Sequence, residues 1–417
     1  MIRVTPYYEW EPKEARRGFE RDYLRMVAAV VPFPAEAVLY DDQEGLNACV
    51  KTERQRRRKK GGKDTDTEIT RLMKTYEIPD KEDLPSEAAL AEAIIKGYSE
   101  RLHLFLYPDG TLDRENLRAL FLVKLADGAV PEDFRFDLKR DGTHGERKKH
   151  AAALYEYVFP YDKFSKLKKT DGHIGIHEFV SRLGVKVCPY CNRLFTTTVN
   201  TAKVRVRPQL DHFRNKNTYP FLALSVNNLI PTCGVCNLLK LDDDADLAYP
   251  YAECFADEGH IFATDIPAKH TVPAMTGTAI AEDDFEIKLK FRDEDTDTPR
   301  SNRIRQSAKK LALAELYQSH REYVSYLYRQ RYILSREMAQ DIFNQFGSKQ
   351  SDSDEPNNGQ SGALFSSVEE VEFLFALMNT SPEHFGDRPL AKLTHDILAE
   401  IDELYAGKGA AEKSGRP

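Results

Sequence analysis

The chain has 417 residues, 47.7 kDa, 41% hydrophobic and 30% charged residues, and a formal net charge of −7. That length allows two or three domains with cores of their own, and no window approaches the roughly 20 apolar residues of a membrane helix. The negative balance argues against a protein that coats nucleic acid along its whole surface.

The longest apolar patch, Met26 to Val31, is short and is followed by Pro32 and Pro34. The opening Met1-Ile2-Arg3-Val4 lacks the charged-then-apolar layout of a secretory signal. A cytoplasmic protein with reduced thiols is therefore expected. There, paired Cys-x-x-Cys motifs serve as metal ligands or redox centres more often than as disulfides.

Residues 1–165 read as a mainly helical scaffold or docking region. Apolar residues recur at helical spacing over Glu14–Val30 and Asp113–Leu125, and Ser86 opens a capped run to Tyr98. Arg54 to Lys63 holds seven basic residues in ten around Gly61-Gly62, compatible with phosphate contact or with a solvated loop. No catalytic motif is visible in this part.

From Val185 the period changes to two. Leu194–Val199 and Val204–Arg207 predict a hairpin turning at Asn200–Lys203. After Pro231 the spacing becomes helix-compatible, giving strand, strand, loop, helix over 188–241. Between Cys188 and Lys240 lie seven basic residues (Arg193, Lys203, Arg205, Arg207, Arg214, Lys216, Lys240) and one acidic residue, Asp211. Such a basic island in an acidic chain fits a local polyanion contact; an ordinary solvated strand face is the plainer alternative. Further on, Phe285–Phe291 alternates as a strand, Asn302–Phe346 predicts a long helix pair, and 347–362 reads as a flexible linker. Val368–Met378 and Leu390–Tyr405 predict a helical tail.

Two motifs carry the chemistry. Cys188-x-x-Cys191 and Cys233-x-x-Cys236 use four of six cysteines, and two such turns brought together close a four-thiolate zinc site. The competing readings are two unrelated thiol pairs or a redox dithiol. The second motif is Asp211, His212, Asn228 and Asn237. Imidazole titrates near neutrality, so His212 is the candidate general base. Asp211 is a hard oxygen ligand for Mg²⁺ or Mn²⁺. Neighbours on a strand point to opposite faces, so the strand should end or bulge at this pair. Asn228 is expected to orient the imidazole, Asn237 to complete the metal site, and Lys240 with Arg214 or Lys216 to face phosphates. Arg205 and Arg207 are further candidate nucleic-acid contacts. His173 and His177 are assigned to a helix packing on the hairpin, and His320, Cys49 and Cys254 to the core.

Taken together, Leu210-Asp211-His212-Phe213, Tyr219-Pro220, Asn228-Leu229-Ile230-Pro231 and Cys233-x-x-Cys236-Asn237-x-x-Lys240, preceded by a first Cys-x-x-Cys, resemble the HNH (His-Me finger) endonucleases. More narrowly they resemble the HNH subunits of bacterial anti-phage systems such as Septu, encoded beside an ATPase. The resemblance covers about 55 residues closely and does not reach residues 1–165. It implies a central ββα-metal motif with one catalytic divalent cation and a structural zinc, inside an α+β, predominantly helical chain. His212 would be the base, Asp211 and Asn237 the cation ligands, and Asn228 the residue orienting His212. Asn237 stands where the name-giving pattern has its last histidine, as in the HNH domain of RNA-guided CRISPR nucleases.

The expected organisation is 1–165 scaffold, 166–260 zinc-braced nuclease, 261–346 strand and long helices, 347–362 linker, and 363–417 tail. The expected function is metal-dependent hydrolysis of nucleic-acid phosphodiesters. DNA is the favoured substrate, in antiviral defence with an ATPase or defence-complex partner and no membrane association. The alternatives are an RNA (transfer RNA) nuclease with the same site, or a catalytically decayed zinc-braced module that binds nucleic acid or protein.

Overall fold

The computed structural model describes residues 2–31, 38–39, 41–48, 114–125, 159–241, 246–259, 261–267, 281–291, 298–333, 336–347, 364–368, 370–371, 374 and 382–414. The basic run 54–63, the helix expected over 86–98, Cys49, Asp242–Asp244 and linker positions 348–362 lie outside them. Among the described residues helices dominate, and the strands form three two-stranded antiparallel sheets, so the class is α+β. None of the described helices is long and apolar enough to cross a membrane.

Two compact units emerge: Val4–Val185 with Thr196–Ala245, and Met1–Arg3 with Lys186–Phe195 and Asp246–Pro417. This division differs from the serial one expected from sequence, because the first cysteine turn belongs with the C-terminal residues.

In the unit that holds 4–185, helix α1 (Lys13–Ala28) buries Phe19, Tyr23, Leu24, Met26 and Val27 along one face. Glu14 in its first turn and Arg25 in its last suit the helix dipole. Arg25 also pairs with Asp42 through two bonds of 2.5 and 2.8 Å. Tyr23 packs against Phe179 and Phe164, with ring centroids 5.2 and 5.8 Å away, each ring contributing roughly 2 kcal/mol by burial. Its hydroxyl donates to the Leu224 carbonyl at 2.5 Å. Helix α2 (Arg114–Phe121) and the residues after it accept from the same stretch. Ser225 Oγ donates to Leu120 O at 2.7 Å and Asn227 Nδ2 to Val123 O at 2.6 Å. The N-terminal helices thus hold residues 220–228 in place.

Helices α3 (Tyr161–Phe164) and α4 (Ile176–Arg182) follow. Gly175, at the N-terminus of α4, lies so close to the 167–169 backbone that a Cβ would meet Lys169 N at 2.8 Å. The hairpin expected from sequence is present but short: β1 (Val199–Asn200) pairs with β2 (Arg205–Val206), and Thr201 closes the turn on Val204. Helix α4 packs on β1. It carries His177, while His173 sits in the turn before it.

Strand β3 (Gln209–His212) then pairs with β4 (Leu229–Thr232), Asp211 opposite Ile230 and His212 opposite Leu229. Helix α5 (Gly234–Lys240) follows directly and packs on β3. Leu229 and Ile230, expected at the end of a Leu224–Ile230 loop before the helix, are therefore strand, together with Pro231 and Thr232. Pro231 lacks an N–H and is tolerated because, among the described residues, β4 has β3 as its one strand neighbour.

In the other unit, β5 (Phe262–Asp265) pairs with β6 (Glu286–Leu289), the alternating segment expected from sequence. Among the described residues, the long helix pair expected over 302–346 is represented by four helices: α6 (Pro299–Lys310), α7 (Leu313–Tyr317), α8 (Arg321–Ile333) and α9 (Arg336–Phe346). Ala312, at φ 47°, breaks the first pair, since left-handed backbone cannot continue a helix. Helix α10 (Ala391–Ser414) covers the exposed edge of β5. Asp396 accepts from Ile261 N and Phe262 N at 2.9 and 3.0 Å, and Glu400 accepts from Thr264 N at 2.9 Å. Carboxylates one turn apart therefore satisfy an edge that would otherwise present bare N–H groups.

Candidate functional site

The first cysteine pair lies on a tight turn. Cys188 N donates to Leu194 O at 2.9 Å, Asn192 N to Cys188 O at 2.8 Å, and Arg193 N to Cys191 Sγ at 3.4 Å. Asn192 supplies the left-handed residue at φ 53°, a conformation asparagine tolerates better than most side chains. Its side chain donates to Phe385 O at 2.8 Å and accepts from Lys392 N at 3.1 Å. Tyr317 Oη donates to Cys191 O at 2.5 Å. The second pair opens α5: Cys233 caps the helix and Cys236 N donates to its sulfur at 3.5 Å.

All four cysteines are buried, and their sulfurs lie within 4.8 Å of one another. A tetrahedral zinc with bonds near ~2.3 Å needs sulfur separations of about 3.8 Å, so the donor set fits a metal ion such as zinc. Among the described residues no other group of this kind occurs. Cys254 is buried and separate, with burial raising its thiol pKa.

The second constellation is built by β3, β4 and α5. The strand ends at His212, directly after Asp211. Its imidazole Nε2 lies 3.0 Å from the Ala223 carbonyl. A carbonyl oxygen only accepts, so Nε2 carries the hydrogen and the lone pair of the neutral ring is on Nδ1. Burial, then the charges of Lys216 and Lys240, pull the pKa down to about 3 against the opposing effect of the Ala223 bond. The imidazole is neutral at pH 7. The Tyr161 ring packs edge-on against it, centroids 4.3 Å apart and planes at 70°.

Three expectations change. Asn228 does not bond the imidazole. Its Oδ1 accepts from Arg214 N at 2.7 Å and its Nδ2 donates to Arg214 O and Leu222 O, both at 3.0 Å. It therefore ties the chain after β3 to the stretch carrying Ala223, and acts on His212 only through the backbone. Lys240 does not face phosphates. It is 1% exposed, with Nζ 3.2 Å from Asp211 Oδ1 and donating to His212 O at 2.8 Å. The reason is helical geometry: Lys240 is four residues after the buried Cys236 and shares its face. Arg207 is turned back onto the protein, donating to Pro208 O at 2.9 Å and Ser165 O at 3.0 Å.

Of the remaining candidates, Arg205 is exposed. Arg214 lies 5.1 Å from the Phe213 ring centroid and Lys216 lies 5.4 Å from that of Tyr161. Asp211 is 5% exposed, and Asn237 is half-buried on α5. Their carboxylate and carboxamide oxygens are the hard donors a divalent cation takes. His320, expected as a core residue, accepts from Arg193 Nε at 2.9 Å.

Two members of the site escape a reading of the sequence. Ala223 acts through its carbonyl, for which no residue type is a signal. Tyr161 lies in the part that shows no catalytic motif, 51 residues before His212. Compared with known proteins, the chain matches no family model, no curated protein and no solved structure.

Proposed function

We propose that the chain is a metal-dependent endonuclease of the HNH type, in which His212 removes a proton from the water that attacks a phosphodiester. The observation that carries this reading is the bond from His212 Nε2 to Ala223 O, which leaves Nδ1 as the basic nitrogen of a ring at the end of β3. Its lowered pKa keeps the base unprotonated, and an approaching phosphate would raise its basicity through its negative charge. β3, β4 and α5 supply the two strands and helix of the ββα motif. Asp211 and Asn237 would hold a divalent cation, whose role is to stabilise charge on the leaving oxygen. Zinc on the four cysteines is structural, a closed site with no open position. Arg205, with Arg214 and Lys216, would meet the nucleic-acid backbone.

The test is incubation of pure protein with plasmid, linear and single-stranded DNA and structured RNA, with Mg²⁺, Mn²⁺ or chelator. Cutting that needs the cation and disappears in His212→Ala is expected; cutting unchanged by that substitution removes His212 from the mechanism. The anti-phage role, with DNA as target and an ATPase as partner, rests on the sequence resemblance. Failure of a co-expressed neighbouring ATPase to co-elute counts against it.

A second reading is favoured by one observation: the Lys240 ammonium already pairs with Asp211. On that reading the chain is a zinc-braced binding module without turnover. It requires nucleic-acid affinity and no cleavage with any cation.

A further inference from the structure

We infer that Tyr161 is a positioning residue for the base: it fixes the plane of the His212 imidazole and so aims Nδ1. This rests on the nuclease reading above. One hydrogen bond, from Nε2 to Ala223 O, leaves the ring able to tip about that axis. A second contact is needed to set the plane, and the Tyr161 ring supplies it at 4.3 Å.

Tyr161 is itself held on three sides. Its hydroxyl donates to Leu210 O at 3.2 Å, tying it to β3 two residues before His212. Burial raises the phenol pKa to about 12, so it stays a neutral donor. On the same short helix, Phe164 is locked edge-on against Tyr23 at 5.8 Å. Arg207 closes the bracket by donating to Ser165 O. The aromatic ring is thus part of a rigid wall anchored in the N-terminal core and on β3 at once. This gives the region before residue 165 a function the sequence does not announce, and it gives Arg207 one as well.

The experiment compares Tyr161→Phe, Tyr161→Leu and wild type in full-length, metal-loaded protein, after thermal melts establish that each is folded. With a plasmid substrate, Tyr161→Leu should lose about 100-fold in kcat with KM within about twofold, the effect of a base misplaced by about 1 Å. Tyr161→Phe, which keeps the ring, should recover kcat to within about threefold. Wild-type kcat in Tyr161→Leu, a loss confined to KM, or a Phe variant as impaired as the Leu variant would overturn the inference.

A second readout does not need turnover. In protein with ¹⁵N-labelled histidine, His212 is assigned by comparison with His212→Ala. Its Nε2–H signal should be protected in wild type and Tyr161→Phe, and lost to exchange in Tyr161→Leu. Equal protection in all three would overturn the inference. Should wild type cleave nothing, the nuclease reading fails and this signal still judges Tyr161.

Discussion

The cysteine turn at Lys186–Phe195 and the strand pair carrying His212 are fixed in opposite ways. The turn is held by residues remote in sequence. Ile2 N donates to Pro189 O at 2.8 Å, Leu390 N to Asn192 O at 2.6 Å, Tyr317 to Cys191 O, and Asn192 to Phe385 O. Ile2, Val187, Phe385 and Ala391 form a small apolar cluster beneath it. The strand pair itself is held mostly by residues within 30 positions, Ala223, Arg214, Leu222 and Lys240, with distant support from Tyr161 and, through residues 220–228, from Tyr23, Leu120 and Val123. Damage to a cluster assembled from remote segments should spread through the fold. Damage to a locally wired site should stay local, and that contrast can be broken by experiment.

The largest effect is expected at the cysteines. Structural zinc sites contribute on the order of 10 kcal/mol to folding, comparable with a domain's whole margin of stability. Cys188→Ser, or removal of metal by a strong chelator, should abolish cooperative unfolding and drop bound zinc to zero. A Cys188→Ser protein that melts as wild type does would show that the thiols are not a brace.

Next comes His212→Ala. Loss of a positioned general base typically costs 10²–10⁴-fold, or about 3–5 kcal/mol in barrier height. Stability should change by only about 1 kcal/mol, since one hydrogen bond to a backbone carbonyl is lost. A melt lowered as far as that of a cysteine variant would erase the distinction between the two regions.

Asn228→Ala sits between these extremes. It leaves Arg214 N, Arg214 O and Leu222 O without their side-chain partner, and each buried orphan costs about 1–3 kcal/mol. A loss of about 3–5 kcal/mol by denaturant titration is expected, with activity falling as a consequence. If Asn228 instead oriented the imidazole directly, kcat would fall while stability held.

How much was legible in the sequence follows from the same contrast. The cysteine pairs could be read because a metal dictates residue type and spacing, so Cys188, Cys191, Cys233 and Cys236 announce themselves. The hairpin over 199–206 and the strand over 286–289 could be read from their period of two. The internal logic of the His212 site could not, because its decisive partners are backbone atoms: Ala223 O for the imidazole, Arg214 and Leu222 for Asn228. Lys240 was readable in principle, since its spacing from Cys236 places it on the buried face of α5. Its charge instead pointed to phosphate. β4 was hidden by Pro231, which reads as a strand breaker unless the strand is known to lie at a sheet edge.

The smallest effect concerns the acid stability of the cysteine turn. Arg193 Nε donates to His320 Nε2 and Arg193 Nη2 to Ser319 Oγ, so His320 can serve as acceptor only while neutral. Burial, then the adjacent guanidinium, lowers its pKa to about 4, against about 6.5 in an unfolded chain. Between those values the unfolded state binds a proton that the folded state refuses. Stability should therefore fall as pH falls from about 6.5 to about 4, with this contribution level outside that window. Because the ring is part-exposed, solvent screening trims the effect to on the order of 1 kcal/mol. Replacing His320 by Asn keeps an acceptor for Arg193 and removes the titration. The variant's denaturation midpoint should be flatter across pH 4–6.5 than that of wild type. Identical slopes would mean that other groups set the acid sensitivity and that the Arg193–His320 bond is not what holds the turn.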